Sequence, residues 1–271
     1  MNINIAIVGP VSAGKSTLMN TLFINKFSEM KIKRTTMQPQ IYIETYNNII
    51  SDDILLKNTN CNKNYYNEKN IKIEPIYHNV NKIRDFVELN KNISFVIHDL
   101  PGLNDSSTDK EYFNYINNNF NLYDIIFFVI DINSSLNTSD EIKILDTILR
   151  NIREQKDKFN KEILLYVIAN KYDNENEEYN EMIEQANKII SEKIKLMELE
   201  NFTAKLIPMS LETAYIYRMN KYNPSKNLDL KYIDRIGNDN FGKREWKKMN
   251  ETEKRKMNKR RRSIIVVACS C

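Results

Sequence analysis

An α/β fold with a doubly wound, mostly parallel sheet is what this sequence predicts, and three observations carry the prediction. Apolar runs of strand length recur along the chain, stretches of helical period separate them, and a glycine-containing loop joins the first run to the first helix. The runs are Ile3–Val8, Ile41–Ile43, Ile93–Ile97, Ile125–Ile130, Ile163–Ala169 and Ala204–Ile207. Several are nearly continuous rather than alternating, as strands covered on both faces are. Helix-period segments lie at Lys15–Asn25, Glu111–Phe120, Ser139–Lys156 and Glu177–Leu199, so strands and helices alternate as in βαβ units.

Two regions depart from this rhythm. Residues 48–91 interrupt it, and within them Asn58 to Asn70 is mostly Asn, Lys and Tyr with no usable period, which reads as a mobile, low-complexity insertion between two strands. Past Lys221 the alternation stops. Residues 222–241 read as an irregular connection and 242–262 as a basic helix or a disordered arm. The expected organisation is an α/β domain over 1–221, with its insertion at about 48–91, followed by a basic extension over 222–271.

Composition bounds the rest. A chain of 271 residues, 41% hydrophobic and 28% charged, suffices for one sizeable α/β domain with an appendage and is not a disordered composition. The net charge of +4 hides an asymmetry: between Lys243 and Arg262 there are eleven Lys/Arg and three Glu, or +8, leaving about −4 for the remainder. Three cysteines, two of them at Cys269 and Cys271, make no disulfide framework, which points to a reducing, cytoplasmic compartment. The opening MNINIAIVGP already reads as a strand, leaving no room for a signal peptide, and the longest apolar run is too short to span a bilayer. The expectation is a soluble or peripherally attached protein.

The strongest chemical signal is Gly9-Pro10-Val11-Ser12-Ala13-Gly14-Lys15-Ser16, a GxxxxGK[ST] match placed between a strand and a helix. Such a loop wraps phosphates with backbone N–H groups and presents a helix N-terminus to their charge. Lys15 is expected at the β- and γ-phosphates and the Ser16 hydroxyl on Mg²⁺, with Gly9, Ser12, Ala13, Gly14 and Thr17 completing the cradle. Asp99-Leu100-Pro101-Gly102 follows the strand Ile93–Ile97. Asp99 can hold Mg²⁺ through water, and Gly102 can bring its N–H to the γ-phosphate, although a plain turn is the alternative for such a tetrapeptide.

Asn170-Lys171-Tyr172-Asp173 ends the strand Ile163–Ala169 and reads the base. The Asp173 carboxylate can accept two hydrogen bonds from guanine's N1–H and exocyclic amine, a donor pair that adenine lacks. A site built for such a pair rejects the wrong base by about 10⁴-fold, because its polar groups would be left unpaired. Asn170 would brace the P-loop and Lys171 would cover the base, so the nucleotide is GTP or GDP rather than ATP. At the end of the last strand, Ser210-Leu211 stands where a backbone contact to the guanine oxygen is expected; the alternative for Ser210 is a helix N-cap. The loop Lys31–Pro39 lies where a Mg²⁺-ligating switch threonine belongs, and Thr35 and Thr36 compete for that role.

In this order the elements resemble the P-loop GTPases, and two details resemble the dynamin family: the loop GPVSAGKST, and Thr36-Met37-Gln38-Pro39 followed at once by a strand. The resemblance covers about residues 3 to 215. It implies that Ser12 helps neutralise charge between the β- and γ-phosphates, that Thr36 positions the attacking water, and that GTP drives self-association through this domain. The family's residue before that serine is Gln, and here it is Val11. No glutamine follows Gly102 either, since the next residues are Leu103-Asn104-Asp105. Hydrolysis is therefore expected to be slow without assembly or a partner, on the order of 10⁻⁴ to 10⁻³ per second.

The long helical stalk that usually follows a dynamin head is not accommodated in the remaining residues, so a minimal relative and the head of a longer product both stay open. Lys254–Arg262 is a candidate contact with an anionic membrane, worth about 1 kcal/mol per cation near the surface. The terminal Cys269-Ser270-Cys271 resembles the doubly prenylated end of Rab-type GTPases; a solvated arm or a nucleic-acid contact is the alternative. Two other functional classes remain: a GTP-dependent binding module that does not hydrolyse, and a ribosome- or RNA-associated GTPase.

Overall fold

The computed structural model describes residues 1–30, 36–45, 54–67, 73–81, 92–103, 109–173, 177–199, 201–222 and 229–257. Among these, seven strands build one sheet: β1 (Asn2–Val8), β2 (Gln40–Thr45), β3 (Ile76–Asn81), β4 (Ser94–Asp99), β5 (Ile125–Asp131), β6 (Leu164–Asn170) and β7 (Ala204–Met209). Their order is β3-β2-β4-β1-β5-β6-β7, and every neighbouring pair is parallel except β2 with β4. From β1 the chain first builds one side of the sheet and then crosses to build the other. That reversal opens a crevice at the carboxyl ends of the central strands, where ligands bind in open α/β sheets.

The near-continuous apolar runs follow from burial on both faces. On β1, Ala6 and Val8 enter the core covered by α3 (Asp109–Asn119), α4 (Ser139–Phe159) and α5 (Glu177–Leu196). Ile5 and Ile7 enter the opposite core, which contains Leu18 and Met19 of α1 (Lys15–Phe23) and Ile54 of α2 (Ile54–Asn67). Helix α4 buries Ile144, Leu145, Ile148, Leu149 and Ile152, a stripe at helical spacing. Thr138 caps it by accepting the Glu141 N–H at 3.3 Å, with Asp140 and Glu141 in the first turn and Lys156 and Lys158 in the last, so both ends complement the helix dipole.

The insertion differs from the sequence expectation. Residues 54–67 form α2, which takes in much of the stretch from Asn58 read as lacking a period, and 76–81 form β3, which adds a parallel edge strand beside β2. The pattern was hidden because polar side chains occupy buried positions: Asn58 on α2 is 3% exposed and His78 on β3 is 4% exposed. Each has a hydrogen-bond partner, as a buried polar group requires.

The described chain divides into two compact units, Met1–Leu211 and Glu212–Cys271. The second contains most of α6 (Leu211–Tyr222), α7 (Leu230–Phe241), α8 (Lys243–Lys247) and a helical segment over 251–257. Part of the stretch expected to be irregular is therefore helix α7, which buries Tyr232, Ile233 and Ile236. In this unit Trp246 is 1% exposed, donates its Nε1–H to Asp234 at 2.8 Å and stacks on Phe241 with ring centroids 5.5 Å apart.

Candidate nucleotide site

The sequence-selected residues converge at the carboxyl ends of β1, β4, β6 and β7. The P-loop leaves β1 at Val8 and enters α1 at Lys15. Gly14, with φ 109°, is in a conformation that L side chains rarely adopt, and a Cβ there would lie 2.2 Å from Asn170 Nδ2. Ser12 has φ 65° and is exposed, whereas Ala13 is buried. The Lys15 side chain is buried, and its ammonium donates to the carbonyls of Gly9 at 3.0 Å and Pro10 at 2.8 Å. Thr17 occupies the first turn of α1, where its carbonyl accepts from Thr21 Oγ1 at 2.7 Å.

Three segments meet around Asp99. Its register partner across the sheet is Ile7, two residues before the loop. Thr36 Oγ1 donates to Asp99 Oδ2 at 3.3 Å and lies 3.3 Å from Ser16 Oγ. Asp99 is fully buried, and its Oδ1 has no hydrogen-bond partner. Burial pushes its carboxyl up to about 6, while the Lys15 charge and hydrogen bonds from Thr36 and Ser16 pull the other way. Among the described residues no group of three His, Cys, Asp or Glu gathers. One carboxylate with a free buried oxygen beside two hydroxyls is the sparse oxygen donor set that suits Mg²⁺, a cation that keeps waters and phosphate oxygens in its shell. The competing Thr35 lies outside the described residues.

The Asp99–Gly102 turn is tied to the P-loop on both sides. Val11 N–H donates to Leu103 O and Leu103 N–H to Gly9 O, both at 3.3 Å. A Cβ on Gly102 would fall 2.8 Å from Val11 Cγ2, so only glycine lets these two loops pack this closely.

On the other side, Asn170 is 6% exposed and uses both ends of its amide. Nδ2 donates to Ala13 O at 2.8 Å, and Oδ1 accepts the Leu211 N–H at 3.0 Å. It thereby links the P-loop to the start of α6. Leu211 is fully buried and contributes its backbone N–H to this link. Ser210 Oγ donates to Asp173 Oδ1 at 2.6 Å, so the serine orients the carboxylate of the tetrapeptide expected to read the base. Lys171 has φ 68° and forms an ion pair with Asp131, the last residue of β5. Asp131 was missed in the sequence, although a carboxylate ending an apolar strand run was the available signal. Asn62, Tyr112 and Asn58 were also missed, and nothing local marks them, since their partners lie far along the chain.

The model of the dynamin family matches residues 5–153, more than half of the chain. The chain belongs to the dynamin family. Over 185 residues this dynamin-family chain is 26% identical to the uncharacterised protein R618 of Acanthamoeba polyphaga mimivirus, an alignment covering 64% of the chain and 29% of that relative. Among solved structures, a member of an oligomerised bacterial dynamin pair superposes with a TM-score of 0.51 at 18% identity, covering 97% of this chain and 47% of that one. Toc33 from Arabidopsis thaliana in complex with GDP and Mg²⁺ superposes with a TM-score of 0.45 at 12% identity, covering 78% of this chain and 71% of that one. The chain thus spans less than a third of the mimivirus relative and about half of the bacterial dynamin. Its fold is that of a P-loop GTPase domain.

The basic run at the end of the second unit is partly engaged within that unit. Lys254 pairs with Asp234 at 2.9 Å and Arg255 with Glu251 at 2.8 Å. Residues 258–271, including Lys259–Arg262, Cys269 and Cys271, lie outside the described residues. Among the described residues no helix is long and apolar enough to cross a membrane.

Proposed function

We propose that this dynamin-family chain binds GTP with Mg²⁺ and hydrolyses it to GDP and phosphate, and that the GTP state drives self-association. The observation that carries the reading is the Ser16–Thr36–Asp99 contact, made by three segments distant in sequence around a buried carboxylate with one unpaired oxygen. Family membership and the domain's fold support it. In this reading Ser16, Thr36 and Asp99 hold the cation. When bound, Mg²⁺ neutralises charge on the β- and γ-phosphates. Lys15 and the N–H groups of residues 12–17 hold the phosphates, Ser12 lies against the β–γ bridge, and Thr36 and Gly102 orient the water and the γ-phosphate. Water adds to the γ-phosphorus as the β–γ bridging bond breaks, and its proton leaves with the phosphate. Asp173, oriented by Ser210, selects guanine; Lys171 covers the base, and Asn170 and Leu211 lock the base-binding loop to the P-loop.

The test is GTP turnover by the purified chain over a range of protein concentrations, with ATP as the control. Turnover specific for GTP, abolished by Lys15→Ala and by Thr36→Ala, is expected. A rate per molecule that climbs with concentration supports assembly through this domain. A flat rate removes self-association from the reading and leaves a partner-dependent switch. Co-sedimentation with anionic vesicles addresses the basic run, and the outcome that removes the membrane contact is vesicle binding unchanged by charge reversal at Lys256.

One observation favours a second reading, a GTP-dependent module that does not turn over. Val11, where dynamins carry glutamine, packs its methyl group against Gly102 and offers no polar atom there. Tight GTP binding with no phosphate release, unchanged by raising the protein concentration, would select it.

A further inference from the structure

Met37, beside the proposed switch threonine, is 4% exposed and has no β-ladder partner for its peptide groups. Its N–H donates to Asn62 Oδ1 at 3.0 Å, and its carbonyl accepts from the Tyr112 hydroxyl at 2.7 Å. Two helices from opposite cores therefore grip one residue: α2, within the insertion, and α3, which follows the Asp99–Gly102 segment. Asn58 lies one turn before Asn62, at the i and i+4 spacing that puts both on one face. Its Nδ2 donates to Phe27 O at 2.8 Å and to Tyr42 Oη at 3.1 Å. The same face of α2 thus ties down the chain on both sides of residues 31–35.

We propose that Asn62 and Tyr112 are positioning residues, which hold the Met37 peptide so that Thr36 stays against Asp99 and Ser16. The inference rests on the reading of Thr36 as the switch threonine and deepens it. The insertion thereby gains a role, since its helix supplies half of the grip on the active-site loop. The chemistry of the grip is specific. At position 62 an acceptor is needed and at position 112 a hydroxyl donor, because a buried peptide group left unpaired opens the loop to competing conformations.

The experiment compares wild type with Asn62→Leu, Asn62→Asp and Tyr112→Phe in the full chain. It reads steady-state GTP turnover and amide hydrogen exchange at Met37 in the nucleotide-free protein. Asn62→Leu and Tyr112→Phe are each expected to lower kcat roughly 10-fold with KM within about 2-fold, the loss that goes with one buried hydrogen bond. Asn62→Leu is expected to speed exchange at Met37 by a similar factor. Asn62→Asp keeps an acceptor oxygen and is expected to restore both readouts, which a merely structural role would not do. Unchanged kcat and unchanged Met37 exchange in Asn62→Leu would overturn the inference, as would Asn62→Asp behaving like Asn62→Leu. A wild type without GTP turnover removes the functional reading instead; exchange at Met37, which needs no nucleotide, then decides the grip by itself.

Discussion

The two histidines of the sequence, His78 and His98, are both buried, and burial lowers each to about 4 from the usual 6.5, with the Lys57 charge adding to the effect at His78. A histidine kept neutral in the fold but free to protonate in the unfolded chain stabilises the protein fully above pH 6.5, and that stability is lost as pH falls towards 4. By pH 5 the loss is about 2 kcal/mol per histidine. Urea unfolding midpoints should therefore fall between pH 7.5 and 5, and His78→Gln should flatten part of that slope. A slope untouched by the substitution would mean that His78 is not the titrating group. Residue identities at the phosphate loop were legible because their chemistry is local: a glycine at φ 109°, a lysine and a hydroxyl must stand at set spacing. Asp131, Asn62 and Tyr112 were not, because their partners lie 40, 25 and 75 residues away.

At the scale of elements, α2 and α7 show what helical period misses. Helix α2 turns Asn58 inward, and that side chain satisfies the Phe27 carbonyl and the Tyr42 hydroxyl. Asn58→Ala leaves both without this donor and should cost about 1–3 kcal/mol, read as a lower urea midpoint at unchanged slope. Helix α7 carries Gly237 against the face of Trp246, where a Cβ would lie 2.0 Å from ring atom Cε2. Gly237→Ala must displace the ring, and since Trp246 is the chain's single tryptophan its emission reports on the second unit alone. A shift of that emission to the red is expected; an unshifted spectrum would mean that the helices adjust around the added methyl. Strands β1, β2, β4, β5, β6 and β7 were legible because each carries a run of apolar residues at strand length. Strand β3 was not, because His78 and Asn79 interrupt its apolar residues, with His78 turned inward beside Val80.

For the molecule as a whole, the proposed ligand couples to stability. A nucleotide that binds only the folded domain stabilises it by about 2.7 kcal/mol at a concentration 100 times its Kd. GTP or GDP with Mg²⁺ should therefore raise the thermal midpoint, ATP should not, and Asp173→Ala should erase the difference between the two bases. Equal shifts with ATP would mean that the 170–173 segment does not select guanine. The sheet order gives this coupling its physical basis, since the candidate site is built from four strand ends and from side chains that bridge them.

The sequence by itself determined the α/β class, the P-loop, the strand-end carboxylate Asp99, the strand-end tetrapeptide 170–173 and the resemblance to the dynamin family. Each of these depends on residues close together in the chain, whose backbone needs and spacing dictate their residue types. Only the tertiary structure decided that the insertion contributes a helix and an edge strand, and that Asn170 links Ala13 to Leu211. It also brought Thr36 to Asp99 and gave Met37 its two partners. These are long-range hydrogen bonds made by Asn, Tyr and Thr side chains. Such groups are equally at home on a surface, and only burial among distant neighbours obliges them to pair.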